Sequence, residues 1–113
     1  MNYLIGGGYC KVDPELMEDA LDDITSDDKI MLVGYNTIDD MAAAFAHKHN
    51  IKITKEAPDN PLRGRDARMY AFKTLAKKAD VVVIMYKLKN KEVLELIETA
   101  ENEGVEVREY HID

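Results

Sequence analysis

Glycines and a tyrosine follow the first apolar run of the sequence and supply groups that can bind an anion. The run begins at Asn2 and leads into Gly6, Gly7 and Gly8, which Tyr9 follows. Glycine lets the main chain approach a phosphate or a ribose closely and lets its amides turn toward an anion. The segment lacks both the GxGxxG spacing of a dinucleotide fold and the Gly-Lys-Ser/Thr ending of a P-loop. It therefore predicts anion binding only together with residues from elsewhere in the chain.

Similar residues follow two other apolar runs. They are Gly34, Tyr35 and Asn36 after the second candidate strand and Tyr86, Lys87, Lys89 and Asn90 after the fourth. Helices that begin at Asn36 and Asn90 would direct free N–H groups toward the same place. The tyrosine rings can stack on a base while their hydroxyls bind phosphate or ribose. Packing of each tyrosine at the rim of the protein is the alternative.

Charge is distributed unevenly along the chain. The first 40 residues contain ten acidic and two basic residues, whereas the rest contains 12 acidic and 13 basic residues. Arg65 and Arg68 lie at the start of one predicted helix, and Lys87 and Lys89 precede another. Cations at a helix N-terminus oppose the helix dipole, so these two clusters predict that an anion binds between them. Ordinary solvated surface charges are the alternative interpretation.

The elements that must position these residues alternate along the chain. Short apolar runs predict five strands, at 2–6, 29–34, 51–54, 80–86 and 105–110. Helical periodicity predicts four helices between them, beginning near Asp13, Asn36 or Thr37, Arg65 and Asn90. The sequence thus predicts a single three-layer Rossmann-like α/β domain over residues 1–113, with a five-stranded, mostly parallel sheet in the order βαβαβαβαβ. Such sheets bind ligands at the carboxyl ends of their strands.

Composition excludes several classes of protein. The chain has 113 residues, a formal net charge of -7 and one cysteine, so we expect no internal disulfide and a cytoplasmic setting. No apolar run approaches the ~20 residues of a membrane span. The excess of acid disfavours nucleic-acid binding. We expect no cofactor and no bound metal, and a homodimer is compatible with the sequence.

The order of these landmarks resembles the SLOG superfamily of Rossmann-like proteins, in particular its YspA-like and lonely-guy-like members. The resemblance covers nearly the whole chain and is carried by LIGG, DDMAAAFAHKHNI, the loop around Pro58, GRDARM, KKADVVVIM and AENEGVEV. In this superfamily, glycine-rich loops and helix N-termini bind nucleotides or phosphoribosyl compounds. The resemblance assigns that role to residues 6–8, residues 34–36, Arg65 or Arg68, and residues 86–90.

One departure from the superfamily bears on catalysis. The PGGxGTxxE motif of its phosphoribohydrolases is replaced by YKLKNKEVLE, and the catalytic glutamate falls on Leu94, with Glu92 and Glu95 on either side. We therefore expect a sensor or sequestering protein that binds its ligand without turnover. A second resemblance, to nucleoside 2-deoxyribosyltransferases, keeps an enzyme acting on an N-glycosidic bond as an alternative. A protein interaction module without a ligand is the third.

Overall fold

Five parallel strands and four helices alternate along the chain in the computed structural model, which describes residues 1–8, 12–33, 37–56 and 65–112, the side chains of residues 65 and 66 excepted. The strands are β1 (Asn2–Gly7), β2 (Lys29–Leu32), β3 (Lys52–Lys55), β4 (Val81–Tyr86) and β5 (Glu106–His111). The helices are α1 (Pro14–Ala20), α2 (Thr37–Lys48), α3 (Arg65–Ala76) and α4 (Lys91–Asn102). The predicted Rossmann-like α/β architecture and its element order are confirmed.

The strand order places β1 at the centre of the sheet. The order is β3-β2-β1-β4-β5, so the chain moves outward from β1 to β3 and then returns to the other side of β1 to form β4. β1 and β4 are paired in parallel up to Gly7 and Met85. This reversal is the topological switch point, where the carboxyl ends of the strands leave a crevice for a ligand.

Helices cover both faces of the sheet. α1 and α2 pack on one face, against a cluster that includes Ile5, and α3 and α4 pack on the other, against a cluster that includes Leu4. Successive strand residues point to opposite faces, so a strand covered on both sides must be apolar throughout. The run Val81–Met85 of β4 is buried throughout, as its continuous apolar sequence predicts.

The helix boundaries follow local capping. Asp13 accepts a hydrogen bond from the Glu15 amide at 3.1 Å and Asn90 accepts one from the Val93 amide at 3.0 Å, so both act as N-caps. α4 ends before Gly104, whose φ of 73° fits a C-terminal glycine.

α1 is shorter than its apolar pattern predicts. The apolar stripe continues to Ile24, but α1 ends at Ala20 with Leu21 as its C-cap. Leu21 and Ile24 are both buried, so the apolar stripe indicates which residues are buried and not where the helix ends. The strands differ from the predicted bounds by one or two residues at their ends.

In the part of the chain that the structure describes, no helix combines the length and the apolar character needed to cross a membrane.

Candidate functional site

A small cavity lies at the carboxyl end of β1, at the switch point of the sheet. Its volume is about 30 Å³, and its lining includes the main chain at Gly6 and Gly7. Ile5, Val33 and Phe72 form apolar parts of the wall. A space of this size admits one or two water molecules or one small polar group. The cavity therefore occupies the position at which doubly wound sheets bind ligands.

Packing leaves no room for a side chain at Gly7 and little room for one at Gly6. A Cβ on Gly7 would overlap the carbonyl oxygen of Met85 and would lie 2.8 Å from Ile38 Cδ1, and the φ of Gly7 is 156°. A Cβ on Gly6 would lie 3.2 Å from the ring of Phe72. These glycines let β1 lie close to β4 and to α3, so at these two positions the main chain forms the cavity wall.

The third glycine has its amide engaged within the fold. The amide of Gly8 donates a hydrogen bond to the carbonyl of Met85 at 3.1 Å, and a Cβ on Gly8 would lie 3.3 Å from Val93 Cγ2. This amide continues the contact between β1 and β4. An anion at Gly8 would have to compete with that hydrogen bond.

Among the residues that the structure describes, three charged side chains from three different helices reach the cavity. They are Asp39 of α2, Arg68 of α3 and Glu92 of α4. Arg68 Nη2 lies 3.5 Å from Glu92 Oε1, and the two side chains are 25% and 24% exposed. Asp39 is only 3% exposed. The site thus combines one guanidinium with two carboxylates, and Arg68 and Glu92 remain accessible from solvent.

Both carboxylates lie in the first turns of their helices, where the helix dipole favours an acidic side chain. Asp39 is the third residue of α2 and Glu92 is the second residue of α4. The partial positive charge of a helix N-terminus stabilises a carboxylate there. The strand order then brings the first turns of α2 and α4 to the same edge of the sheet, because β1 lies between β2 and β4.

Of the predicted binding residues, Gly6, Gly7 and Arg68 line this cavity together. Tyr86 and Lys89 lie toward the edge strand β5 instead. The Tyr86 hydroxyl donates to Glu109 Oε1 at 3.3 Å, and Lys89 Nζ lies 3.0 Å from the same oxygen. The hydrogen bond to Glu109 raises the pKa of Lys89 above its usual value.

Lys87 and Asn90 also take positions outside the cavity wall. The Lys87 carbonyl lies 3.0 Å from His111 Nε2, and the Lys87 side chain is exposed. The side chain of Asn90 caps α4. Tyr9, Gly34, Tyr35 and Asn36, together with the side chain of Arg65, lie outside the described residues.

Sequence reasoning missed two of the three charged groups of the cavity. Asp39 was assigned to no site, and Glu92 was noted only as a neighbour of Leu94. Leu94 is 49% exposed and lies outside the cavity wall, whereas Glu92 lines it. The signal available in the sequence was the acidic first turn of each helix, which does not distinguish a carboxylate in a site from a solvated one.

A second, larger cavity lies between α1 and α2, away from the strand ends. Its volume is about 240 Å³ and its wall is mainly apolar, with Met17, Met41 and Phe45 among its residues. At its side, Glu18 accepts from Lys48 Nζ at 2.8 Å and contacts His49 Nε2 at 2.7 Å. These two contacts lower the pKa of Glu18 and join α1 to the end of α2.

Comparison with known proteins supports the fold. No protein-family model and no curated protein matches the sequence. The chain is similar in structure to the C-terminal domain (residues 83–215) of a hydrogenase from Pyrococcus furiosus, with a TM-score of 0.57 and 15% sequence identity. The match covers 96% of this chain and 90% of that chain. At this identity the similarity concerns the α/β architecture alone.

Proposed function

We propose that the protein binds a nucleotide or a phosphoribosyl small molecule at the carboxyl edge of the sheet, over the cavity at the end of β1. The observation that carries this proposal is the position of Arg68 beside the main chain of Gly6 and Gly7 at the switch point. A guanidinium can bind phosphate with two parallel hydrogen bonds, and this geometry selects phosphate over a simple anion.

Helix N-termini add to this electrostatic preference. α2 and α4 both begin at the edge where Arg68 lies, and their dipoles favour an anion in front of them. Membership of the SLOG superfamily is part of the proposal, since that superfamily binds such ligands at the same edge. The protein would act as a sensor or a sequestering protein in the cytoplasm, without nucleic acid, membrane or metal, and with a homodimer compatible with the function.

The direct test is a calorimetric titration with nucleoside mono-, di- and cyclic phosphates, ADP-ribose and ribose 5-phosphate. We expect at least one of them to bind the wild-type protein with micromolar affinity. Arg68→Ala should weaken that binding by about 10- to 100-fold, because a hydrogen bond to a charged group contributes about 1.5–3 kcal/mol.

Lys73→Ala is the matched control for this variant. Lys73 lies on the same helix, is exposed and is not part of the cavity wall, so its removal changes the net charge equally. The affinity of Lys73→Ala should stay within about twofold of wild type, since an exposed distant charge is largely screened by salt. Absence of binding to every compound, or equal losses in the two variants, would contradict the proposal.

A second candidate function is cleavage of an N-glycosidic bond. It is favoured by Glu92, whose carboxylate lies in the cavity 3.5 Å from Arg68. A carboxylate at the anomeric carbon can displace the base directly, or it can deprotonate an attacking water so that free base and the sugar phosphate are released.

Chromatographic measurement of free base separates the enzyme from the binder. If the protein is an enzyme, base should be released from nucleoside monophosphates, and Glu92→Gln should abolish the release while Glu98→Gln, an exposed change on the same helix, should not. If no base is released at any nucleotide concentration that saturates the protein, binding without turnover is the function. An interaction module would give neither binding nor release.

A further inference from the structure

We infer that the cavity receives a secondary hydroxyl of the ligand's sugar, with Asp39 as the hydrogen-bond acceptor, and that the phosphate lies outside the cavity against Arg68. This inference rests on the proposed function and specifies how the ligand is oriented. It predicts that the protein distinguishes ribose from deoxyribose at this position.

The size of the cavity limits what can enter. About 30 Å³ is enough for one or two water molecules, so a single hydroxyl fits there. A phosphate group, with four oxygens around phosphorus, is larger than this space. A base is larger still and does not fit within this volume.

The charged groups of the cavity also favour a hydroxyl over a phosphate. Among the lining residues that the structure describes, Asp39 and Glu92 carry carboxyl groups and Arg68 carries a guanidinium. A phosphate placed between two carboxylates would be repelled by each of them. A neutral hydroxyl is favoured, because ionised carboxylates accept hydrogen bonds and donate none.

Asp39 is singled out by comparison with its neighbour Asp40. Both lie in the first turn of α2, where either carboxylate interacts favourably with the helix dipole. Asp40 is exposed and obtains that interaction at little cost, whereas Asp39 is 3% exposed and loses hydration by burial. Of these two carboxylates, only Asp39 lies in the cavity wall, where a ligand hydroxyl can reach it.

Arg68 is suited to the outer position. Its side chain is 25% exposed and lies 3.5 Å from Glu92, so a ligand group can approach it from solvent. A phosphate bound there is farther from the buried carboxylate than one placed in the cavity. The ligand then spans the site with its sugar edge inward and its phosphate outward.

The test is a calorimetric comparison of nucleoside 5′-monophosphates with their 2′-deoxy and 3′-deoxy counterparts, using the adenine, guanine, cytosine and uracil series. For the base that binds best, removal of one of the two hydroxyls should weaken binding to wild type by about 10-fold or more, as expected for the loss of a hydrogen bond to a charged acceptor. In Asp39→Asn, the difference between ribo and deoxy forms should shrink to within about threefold, since the amide oxygen of asparagine accepts a neutral hydrogen bond that is weaker than one to a carboxylate. Asp40→Asn should retain the full difference.

The ligand series on the wild-type protein decides the matter even if Asp39→Asn does not fold. Should both deoxynucleotides bind within twofold of the ribonucleotide, the inference is wrong while the proposed function stands. A ribose preference that is undiminished in a folded Asp39→Asn variant also overturns it. If no nucleotide binds, the inference is wrong, and if ADP-ribose and ribose 5-phosphate also fail to bind, the proposed function is wrong as well.

Discussion

Carboxylates lie near both ends of β1, but their contacts differ between the two ends. At the amino end, Asp28 Oδ1 lies 3.0 Å from the Met1 amino group, and Asp80 Oδ2 accepts from the Asn2 amide at 2.7 Å. At the carboxyl end, Asp39 and Glu92 line a cavity beside Arg68. The first pair holds the start of a strand in place, whereas the second pair faces a space that a ligand group can enter.

The main chain explains why the two ends differ. The amino end of β1 presents N–H donors that need acceptors, and nearby aspartates supply them. At the carboxyl end, Gly6 and Gly7 allow β1, β4 and α3 to approach one another. The first turns of α2 and α4 place acidic side chains at the same edge. A parallel sheet thus concentrates structural hydrogen bonds at one edge and leaves a potential site at the other.

Among the substitutions that test the difference between the two ends of β1, replacement of Gly7 should reduce stability the most. In Gly7→Ala the new methyl group overlaps the Met85 carbonyl oxygen, and the φ of 156° is unfavourable for any residue with a Cβ. We expect a loss of about 3 kcal/mol or more in the free energy of unfolding, measured by urea denaturation.

Gly104→Ala provides the control for the backbone contribution. Gly104 has a φ of 73°, and its alanine methyl group would meet no atom within 4 Å, so only conformational strain of about 1 kcal/mol is expected. Equal effects of the two changes would mean that the close approach of β1 and β4 at the cavity is unimportant.

Removal of Asp80 should give the next largest effect and should alter stability alone. Asp80→Ala removes the acceptor of the Asn2 amide, and we expect a loss of about 1 kcal/mol, because this hydrogen bond is exposed and water can replace the carboxylate. Ligand affinity should be unchanged within error, since the change lies at the opposite end of β1. A large loss of affinity would show that the two ends are coupled.

Replacement of Asp28 should have the smallest effect, and that effect should depend on pH. Hydrogen bonds from the Thr25 amide and the N-terminal amino group lower the pKa of Asp28 in the folded state. A carboxylate with a lowered folded-state pKa contributes stability above its unfolded pKa of about 3.9, and this contribution is lost as pH falls through the folded-state pKa. Asp28→Asn should therefore cost about 0.5–1 kcal/mol at pH 7 and approach zero cost well below pH 4.

Urea unfolding at several pH values checks this, with Asp27→Asn as the control. Asp27 is exposed, and none of the hydrogen bonds within the described part of the chain involves its carboxylate. A cost for Asp28→Asn that is independent of pH would show that the carboxylate charge does not stabilise the amino end.

The fold was predictable because its signals are local. Asp13 followed by Pro14 starts α1, Asn90 caps α4, and the continuous apolar run of β4 requires cover on both faces. The end of α1 was not predictable in the same way, because Leu21 is buried in the core whether it continues the helix or follows it.

The site was predictable only in part, because it depends on strand order. Gly6, Gly7 and Arg68 are distinctive by residue type or by charge placement and were identified from the sequence. Asp39 and Glu92 meet them only because β1 is inserted between β2 and β4. Conversely, Tyr86 and Lys89 follow a strand at the expected edge, but their contacts are with Glu109 of β5.

The most direct test of the central claim is an NMR titration of the ¹⁵N-labelled protein with the nucleotide that binds best. We expect the largest changes in amide chemical shift at Gly6, Gly7, Arg68 and Glu92, while the amides of Asn2, Asp28 and Asp80 stay nearly unchanged. Saturable binding with its largest shifts at the amino end of β1, or along α1 and α2, would show that the ligand does not bind at the carboxyl edge.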